Sequence, residues 1–264
     1  MLKNRITEKN KDLLISKKKA FVAYISAGFP DIKKTHELAD ILIRNKVDFI
    51  ELGMPFSDPV ADGPVIQRSS ALALARGMSM IKYFQIIKDL RKRTEIPLIM
   101  MSYYNPIFKY GIKKFAKAAS ISGLDGVIVP DLPPEESGEL NKALLINSIA
   151  QIFLISPLTS PERIKKNSRI SSGFIYYVSL AGVTGTRNTL GADLAKQVRL
   201  IKKTSKTPVF VGFGVSNPEH VKKVNKVADG VIVGSALIKI INESINKKQL
   251  EIKISRFIRS MQNN

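Results

Sequence analysis

The chain has 264 residues, 44% hydrophobic and 24% charged, with no cysteine; this excludes a disordered chain and leaves room for one large domain with a full core. The lack of cysteine rules out disulfides, thiolate nucleophiles and Cys-ligated zinc, and fits a reducing compartment. A formal charge of +20 brings nucleic acid or an acidic membrane into consideration as partners.

The basic pairs argue against both. Lys33/Lys34, Lys113/Lys114, Lys165/Lys166, Lys202/Lys203, Lys222/Lys223 and Lys247/Lys248 are scattered, mostly over predicted helices, without interleaved aromatics. Solvated helix faces are expected, with no nucleic acid and no membrane. The start, MLKNRITEKNKDLLISKKKA, lacks a secretory apolar stretch, and a soluble cytoplasmic protein is expected.

In chain order, a helix around Lys11–Ser16 precedes eight short apolar runs. These are Ala20–Ala27, Val47–Gly53, Pro97–Tyr103, Gly126–Pro130, Ala150–Ser156, Gly173–Ser179, Pro208–Gly214 and Gly230–Ser235. They are near-continuous rather than alternating, as in parallel strands covered on both faces. Helical spacing separates them: Leu38, Ile41 and Leu42; Met80, Phe84 and Ile87; Leu237, Ile240, Ile241 and Ile245. Ser160 before Pro161 marks one helix start, and Ser216 with Glu219 reads as a capping box for another. Eight strands each followed by a helix predict an α/β fold, a (β/α)8 TIM barrel. It fills residues 1–264 as a single domain, with an extra N-terminal helix plugging its N-terminal end. A doubly wound sheet would show fewer strands and an early G-x-G-x-x-G turn.

Such barrels place their chemistry at the C-terminal strand ends. That filter retains Glu51, Ser57, Asp58, Asp62, Tyr103, Asp131, the Gly182–Gly185 turn, Gly212–Gly214 and Gly234–Ser235. His36 and His220 fall in helices, leaving no histidine for a triad and no metal site. Alternation puts Glu51 on the face of Phe49, inside the barrel, where burial raises a carboxyl toward the range of an acid/base catalyst. The alternative is a carboxylate held by a Lys or Arg for structure. The following loop, Met54–Pro64, is stiffened by three prolines and presents Asp62 beside that strand end; an Asx-turn before Gly63 is the structural alternative. Gly212–Gly214 and Gly234–Ser235, each before a helix, offer backbone amides to a small phosphorylated substrate, with Gly185 as a third approach. No lysine sits at a strand end, so a Schiff-base aldolase lacks its nucleophile. Carboxylate chemistry remains, with Tyr24, Tyr103, Tyr176 and Phe213 available to line the pocket.

The block ELGMPFSDPVADGPVIQ (Glu51–Gln67) resembles the signature segment of tryptophan synthase alpha subunits. AYISAGFPD (Ala23–Asp31), MSYYNPI (Met101–Ile107), GVIVPDLPPEES (Gly126–Ser137), YYVSLAGVTGTR (Tyr176–Arg187), VGFGVS (Val211–Ser216) and ADGVIVGSA (Ala228–Ala236) follow in that family's order. The resemblance implies a lyase that cleaves indole-3-glycerol phosphate to indole and D-glyceraldehyde 3-phosphate. It places the catalytic glutamate at Glu51 and the catalytic aspartate at Asp62. Thr184 matches the threonine of a closing loop, and Tyr176 and Phe213 match aromatics near the indole. Gly185, Gly214, Gly234 and Ser235 match the phosphate-binding backbone. It also implies a beta subunit partner in an α2β2 tetramer, faced by the region of Asp58. Pyridoxal phosphate belongs to that partner, and no cofactor to this chain. Another phosphate-binding barrel, a nucleic-acid-binding protein and a feeble scaffold that mainly activates its partner are the competing readings.

Overall fold

The computed structural model describes residues 2–179, 189–212, 214–244 and 249–263, with residues 189–193 by backbone alone. Its strands are β1 (Ala20–Ser26), β2 (Phe49–Gly53), β3 (Leu98–Met101), β4 (Gly126–Ile128), β5 (Ala150–Ile152), β6 (Leu154–Ile155), β7 (Ile175–Val178), β8 (Val209–Gly212) and β9 (Gly230–Val233). The helices used below are α1 (Arg5–Ile15), α2 (Ile32–Arg44), α3 (Pro64–Ala75), α4 (Met80–Arg91), α5 (Tyr104–Tyr110), α6 (Ile112–Ser122), α7 (Gly138–Ile146), α8 (Pro161–Ile170), α9 (Thr189–Thr204), α10 (Pro218–Asn225), α11 (Ser235–Ser244) and α12 (Leu250–Gln262).

All strand pairs are parallel, in the order β5-β4-β3-β2-β1-β9-β8-β7-β6. Eight strands were expected; the fifth run divides at Phe153, and its halves serve different neighbours. β5 pairs with β4 and β6 with β7. The Phe153 carbonyl accepts the Tyr176 amide at 3.1 Å and the Gln151 carbonyl accepts the Ser172 amide at 2.9 Å, carrying the ladder across the seam. The result is the expected (β/α)8 barrel.

The helical stripes face inward as their spacing requires: Leu38, Ile41 and Leu42 on α2 and Met80, Phe84 and Ile87 on α4 are buried. On α11, Leu237 and Ile241 are buried with Ile238, while Ile240 is partly exposed; Ile245 lies outside the described residues. Inside the barrel, Phe49 packs edge-on to Phe174 at 6.1 Å and to Phe210 at 5.4 Å, and Phe174 stacks on Phe210 at 4.3 Å. This aromatic layer forms a floor two residues below Glu51.

The extra helix is longer than Lys11–Ser16, and its first half does the plugging. Ile6 is fully buried. Asn4 Nδ2 donates to the Asp125 carbonyl at 2.9 Å and Asn10 Nδ2 to the Gly173 carbonyl at 2.8 Å, across the strands' N-terminal ends. Leu14 and Ile15, in the segment where the plug was expected, face solvent. The Ser160 cap forms as expected, accepting from the Arg163 amide. The Ser216/Glu219 capping box does not. Asn217 caps α10 instead, its side chain accepting the His220 amide at 2.9 Å. Pro218 occupies the first helical position, so the residue before it becomes the cap.

Candidate active site

β2 carries Glu51 in register with Tyr24 of β1 and Ile99 of β3, on the same inward face as Phe49. The side chain is 1% exposed. Its Oε2 is buried without a hydrogen-bond partner, and no Lys or Arg among the described residues forms an ion pair with it. Among the described residues the structural ion-pair alternative therefore has no partner. Burial, reinforced by the negative charge of Asp62, pushes the Glu51 carboxyl up to about 8.

Asp62 comes from the loop joining β2 to α3. That loop is pinned at three points: the Asp62 amide donates to the Pro59 carbonyl at 3.0 Å, Gln67 Nε2 to the Asp62 carbonyl at 2.9 Å, and the Ala61 amide to Tyr103 Oη at 2.9 Å. Burial raises the Asp62 carboxyl to about 6, while a hydrogen bond from Tyr103 pulls the other way. No backbone amide of the next turn donates to this carboxylate, so the Asx-turn is not formed.

Two tyrosines roof the interior next to the acids. Tyr24 lies over Gly53 of the adjacent strand so closely that a Cβ there would sit 2.1 Å from its hydroxyl. Tyr176 covers Gly212 in the same way, at 2.3 Å. Only glycine admits either ring. Tyr24 Oη lies 3.4 Å from Ser26 Oγ, itself 2.7 Å from Ser69 Oγ on α3. Burial raises both tyrosine hydroxyls above their ordinary range, so they are neutral donors.

Opposite the acids, β9 ends and α11 begins at Ser235. The first-turn amides of a helix have no intrahelical acceptor, and its positive end attracts anions. Gly214, in the left-handed region at φ +80, lies after β8. Tyr24, Glu51, Asp62, Tyr176, Gly214, Gly234 and Ser235 line one cavity of about 190 Å³. It thus has an acidic wall, an aromatic roof and an anion-attracting wall.

Residues 11–264 match the family described as tryptophan synthase alpha chain. A tryptophan synthase alpha chain from Geotalea daltonii is 46% identical over 246 residues, 93% of each chain. The structure superimposes on tryptophan synthase subunit alpha from Legionella pneumophila with TM-score 0.92 at 39% identity, covering 99% of this chain and 98% of that one. It also matches a chain from the tryptophan synthase α2β2 complex of Pyrococcus furiosus, with TM-score 0.84 at 36% identity, covering 93% and 98%. The chain belongs to the tryptophan synthase alpha chain family.

Within this family member, the remaining expected site residues fall in different places. Tyr103 stands behind the β2–α3 loop as its clamp and does not line the cavity. Asp58 is exposed on the loop's outer side and accepts the Ser57 hydroxyl. Asp131, at another strand end, accepts the Tyr104 amide at 2.9 Å and caps α5. Thr184, Gly185 and Phe213 lie outside the described residues.

Several lining residues escaped sequence reasoning. Met101 and Ile232 face the cavity; counting back two from Tyr103 and from Gly234 along their strands finds them. Ile66, on α3, had no such signal. His220 sits in a helix as expected, but in its first turn, where Nδ1 donates to the Gly214 carbonyl at 2.9 Å. Among the described residues no helix is long and apolar enough to cross a membrane, and no three His, Cys, Asp or Glu side chains cluster as metal ligands.

Proposed function

We propose that Glu51 and Asp62 are the acid/base pair with which this tryptophan synthase alpha chain cleaves indole-3-glycerol phosphate to indole and D-glyceraldehyde 3-phosphate. The observation that carries the reading is the unpaired Glu51 carboxyl, raised to about 8, facing a cavity it shares with Asp62 at about 6. Near neutrality the first is protonated and the second ionised, which is the division of labour the reaction needs.

Glu51 delivers its proton to C3 of the indole ring, and positive charge develops on the ring nitrogen. Asp62 accepts the ring N–H and stabilises that charge. The Glu51 carboxylate then takes the proton of the side-chain hydroxyl adjacent to C3. The oxygen's electron pair forms the aldehyde as the carbon–carbon bond breaks, and the bonding electrons return to the ring as indole. One proton moves from Glu51 to carbon and one returns from oxygen, so the enzyme ends as it began. Tyr24, Tyr176, Met101 and Ile232 hold the ring, and Gly214, Gly234 and Ser235 present backbone amides to the phosphate.

The partner is a beta subunit in an α2β2 tetramer, and the pyridoxal phosphate of the overall synthase sits in that subunit. Asp58 and the exposed Val60 lie on the β2–α3 loop, on the face where the site opens. The family resemblance and the Pyrococcus furiosus α2β2 relative support this reading.

The test is release of both products by the purified chain, alone and with a beta subunit, for the natural protein and Glu51→Gln. Cleavage accelerated by the partner and lost in the variant supports the assignment. Full activity in Glu51→Gln removes Glu51 from the chemistry.

A further inference from the structure

A cleft of about 1010 Å³ with no role in the site above lies at the opposite end of the barrel, beside the α1 plug. Its lining includes apolar side chains: Leu13 and the exposed Leu14 of α1, Ile170 at the end of α8, and Pro208 just before β8, with Phe210 of β8 buried behind them. Lys11, Lys17, Lys18, Arg169 and Lys206 line its rim, and none of them forms an ion pair among the described residues. Lys19 also reaches it. The single carboxylate in the lining, Asp229, is already held by Lys202 at 2.6 Å, lies 3.9 Å from Lys19, and accepts the Val209 amide at 3.0 Å.

We propose that this cleft binds a free, small anionic amphiphile, an apolar body carrying a carboxylate or phosphate head. Three observations select that occupant. Five cations that form no ion pair among the described residues converge on one opening whose single carboxylate, Asp229, is already held by Lys202, so an anion entering it meets net attraction. The lining between them is apolar, which a bare inorganic anion would leave uncovered. The volume is that of a small-molecule pocket. Nucleic acid fits less well, because the one aromatic in the lining, Phe210, is 1% exposed and offers no face for a base. A second copy of the chain would bring the same positive rim against itself.

The site is separate from the acids. Phe210 belongs to the aromatic layer with Phe49 and Phe174, which lies between this cleft and Glu51. Loss of the ligand site therefore leaves the lyase reading untouched, and failure of that reading leaves the cleft in place.

Dodecanoate below its micellar concentration is the probe, followed by titration calorimetry on the full chain. Dodecanol and acetate separate the contributions of head and body. Lys11→Glu/Lys206→Glu reverses two rim charges, and Lys113→Glu/Lys117→Glu makes the same net change on the exposed face of α6. Binding of one equivalent is expected, weakened about tenfold or more in the rim variant and for either partial probe, with the α6 variant unchanged. Both variants retain indole release, which shows that they fold. No dodecanoate binding, equal weakening in both variants, or several equivalents bound overturns the proposal. So does preferential binding to anionic phospholipid vesicles or to an oligonucleotide that displaces dodecanoate, since either assigns the charge to a surface or polyanion instead.

Discussion

Tyr103 Oη accepts the Ala61 amide at 2.9 Å and also hydrogen-bonds the Asp62 carboxylate, so the end of β3 fixes the neighbouring loop where its acid is presented. Tyr103→Phe removes both bonds while keeping the ring that packs on Phe56 at 5.3 Å. The Asp62 carboxyl then loses the bond that opposes burial and moves further up. We expect kcat/KM to fall about tenfold at neutral pH, the energy of one hydrogen bond to a charged group. The acid limb of the pH profile should shift upward. A uniform loss with an unshifted limb would reduce Tyr103 to a packing role.

The two raised carboxyls set the working pH. Asp62 must be ionised, which favours pH above about 6, and Glu51 must start protonated, which favours pH below about 8. A bell-shaped kcat/KM with its plateau between these values is expected in steady-state assays of indole release. Glu51→Gln should lower kcat by about a thousandfold or more, as removal of the proton donor requires. Activity rising steadily to pH 10 would mean that the ionised form of Glu51 starts the reaction.

The same burial makes Glu51 a liability to the fold. Burial pushes its carboxyl up to about 8 in the folded chain, well above the ordinary glutamate range to which unfolding returns it. The native state therefore holds a proton that the unfolded chain releases, and stability falls as pH rises through that interval. Glu51→Gln keeps the shape and removes the charge. Its melting temperature should exceed that of the natural protein by more at pH 9 than at pH 5, as read by circular dichroism. An equal difference at both values would mean that Glu51 is not desolvated.

The barrel and the inward aim of Glu51 were legible because both rest on periodicity, while Asp62 was legible from the proline-stiffened loop that follows β2. Period-two alternation carries Glu51 inward with Phe49, and β-branched runs mark every strand. Features arising between distant segments were not. Nothing local in AQIFLIS says that the ladder changes partners at Phe153, because the seam is set by closure of the barrel. Asp131 passed the strand-end filter equally with Asp62, yet it caps α5; position along a strand cannot tell a capping carboxylate from one aimed at a cavity. His220 was set aside for being helical, although the first turn of a helix at a strand end faces the mouth.

For the partner, Val60 is the sharper probe. It is 84% exposed on the loop that also carries Asp58 and Asp62, the region that the family resemblance turns toward the beta subunit, where a partner surface would bury it. Val60→Asp should weaken association with the beta subunit about tenfold or more, as burial of an unpaired charge does. Cleavage by the isolated chain should change little. Unchanged affinity in analytical ultracentrifugation would place the contact elsewhere on the mouth.

The correction at α10 makes a separable prediction about stability and the site. Asn217 accepts the His220 amide at 2.9 Å, whereas Ser216 Oγ lies 3.5 Å from His220 Nδ1. Asn217→Ala therefore exposes an orphan amide in the first turn and should cost about 1 kcal/mol in urea unfolding. Ser216→Ala loses only a marginal contact and should be near neutral. The helix start also carries His220, whose ring donates to the Gly214 carbonyl at 2.9 Å. Fraying it should loosen the segment after β8 that lines the cavity, raising KM for the phosphorylated substrate more than it lowers kcat. If Ser216→Ala were the costlier substitution, the serine would be the cap after all and Pro218 would not set the helix boundary.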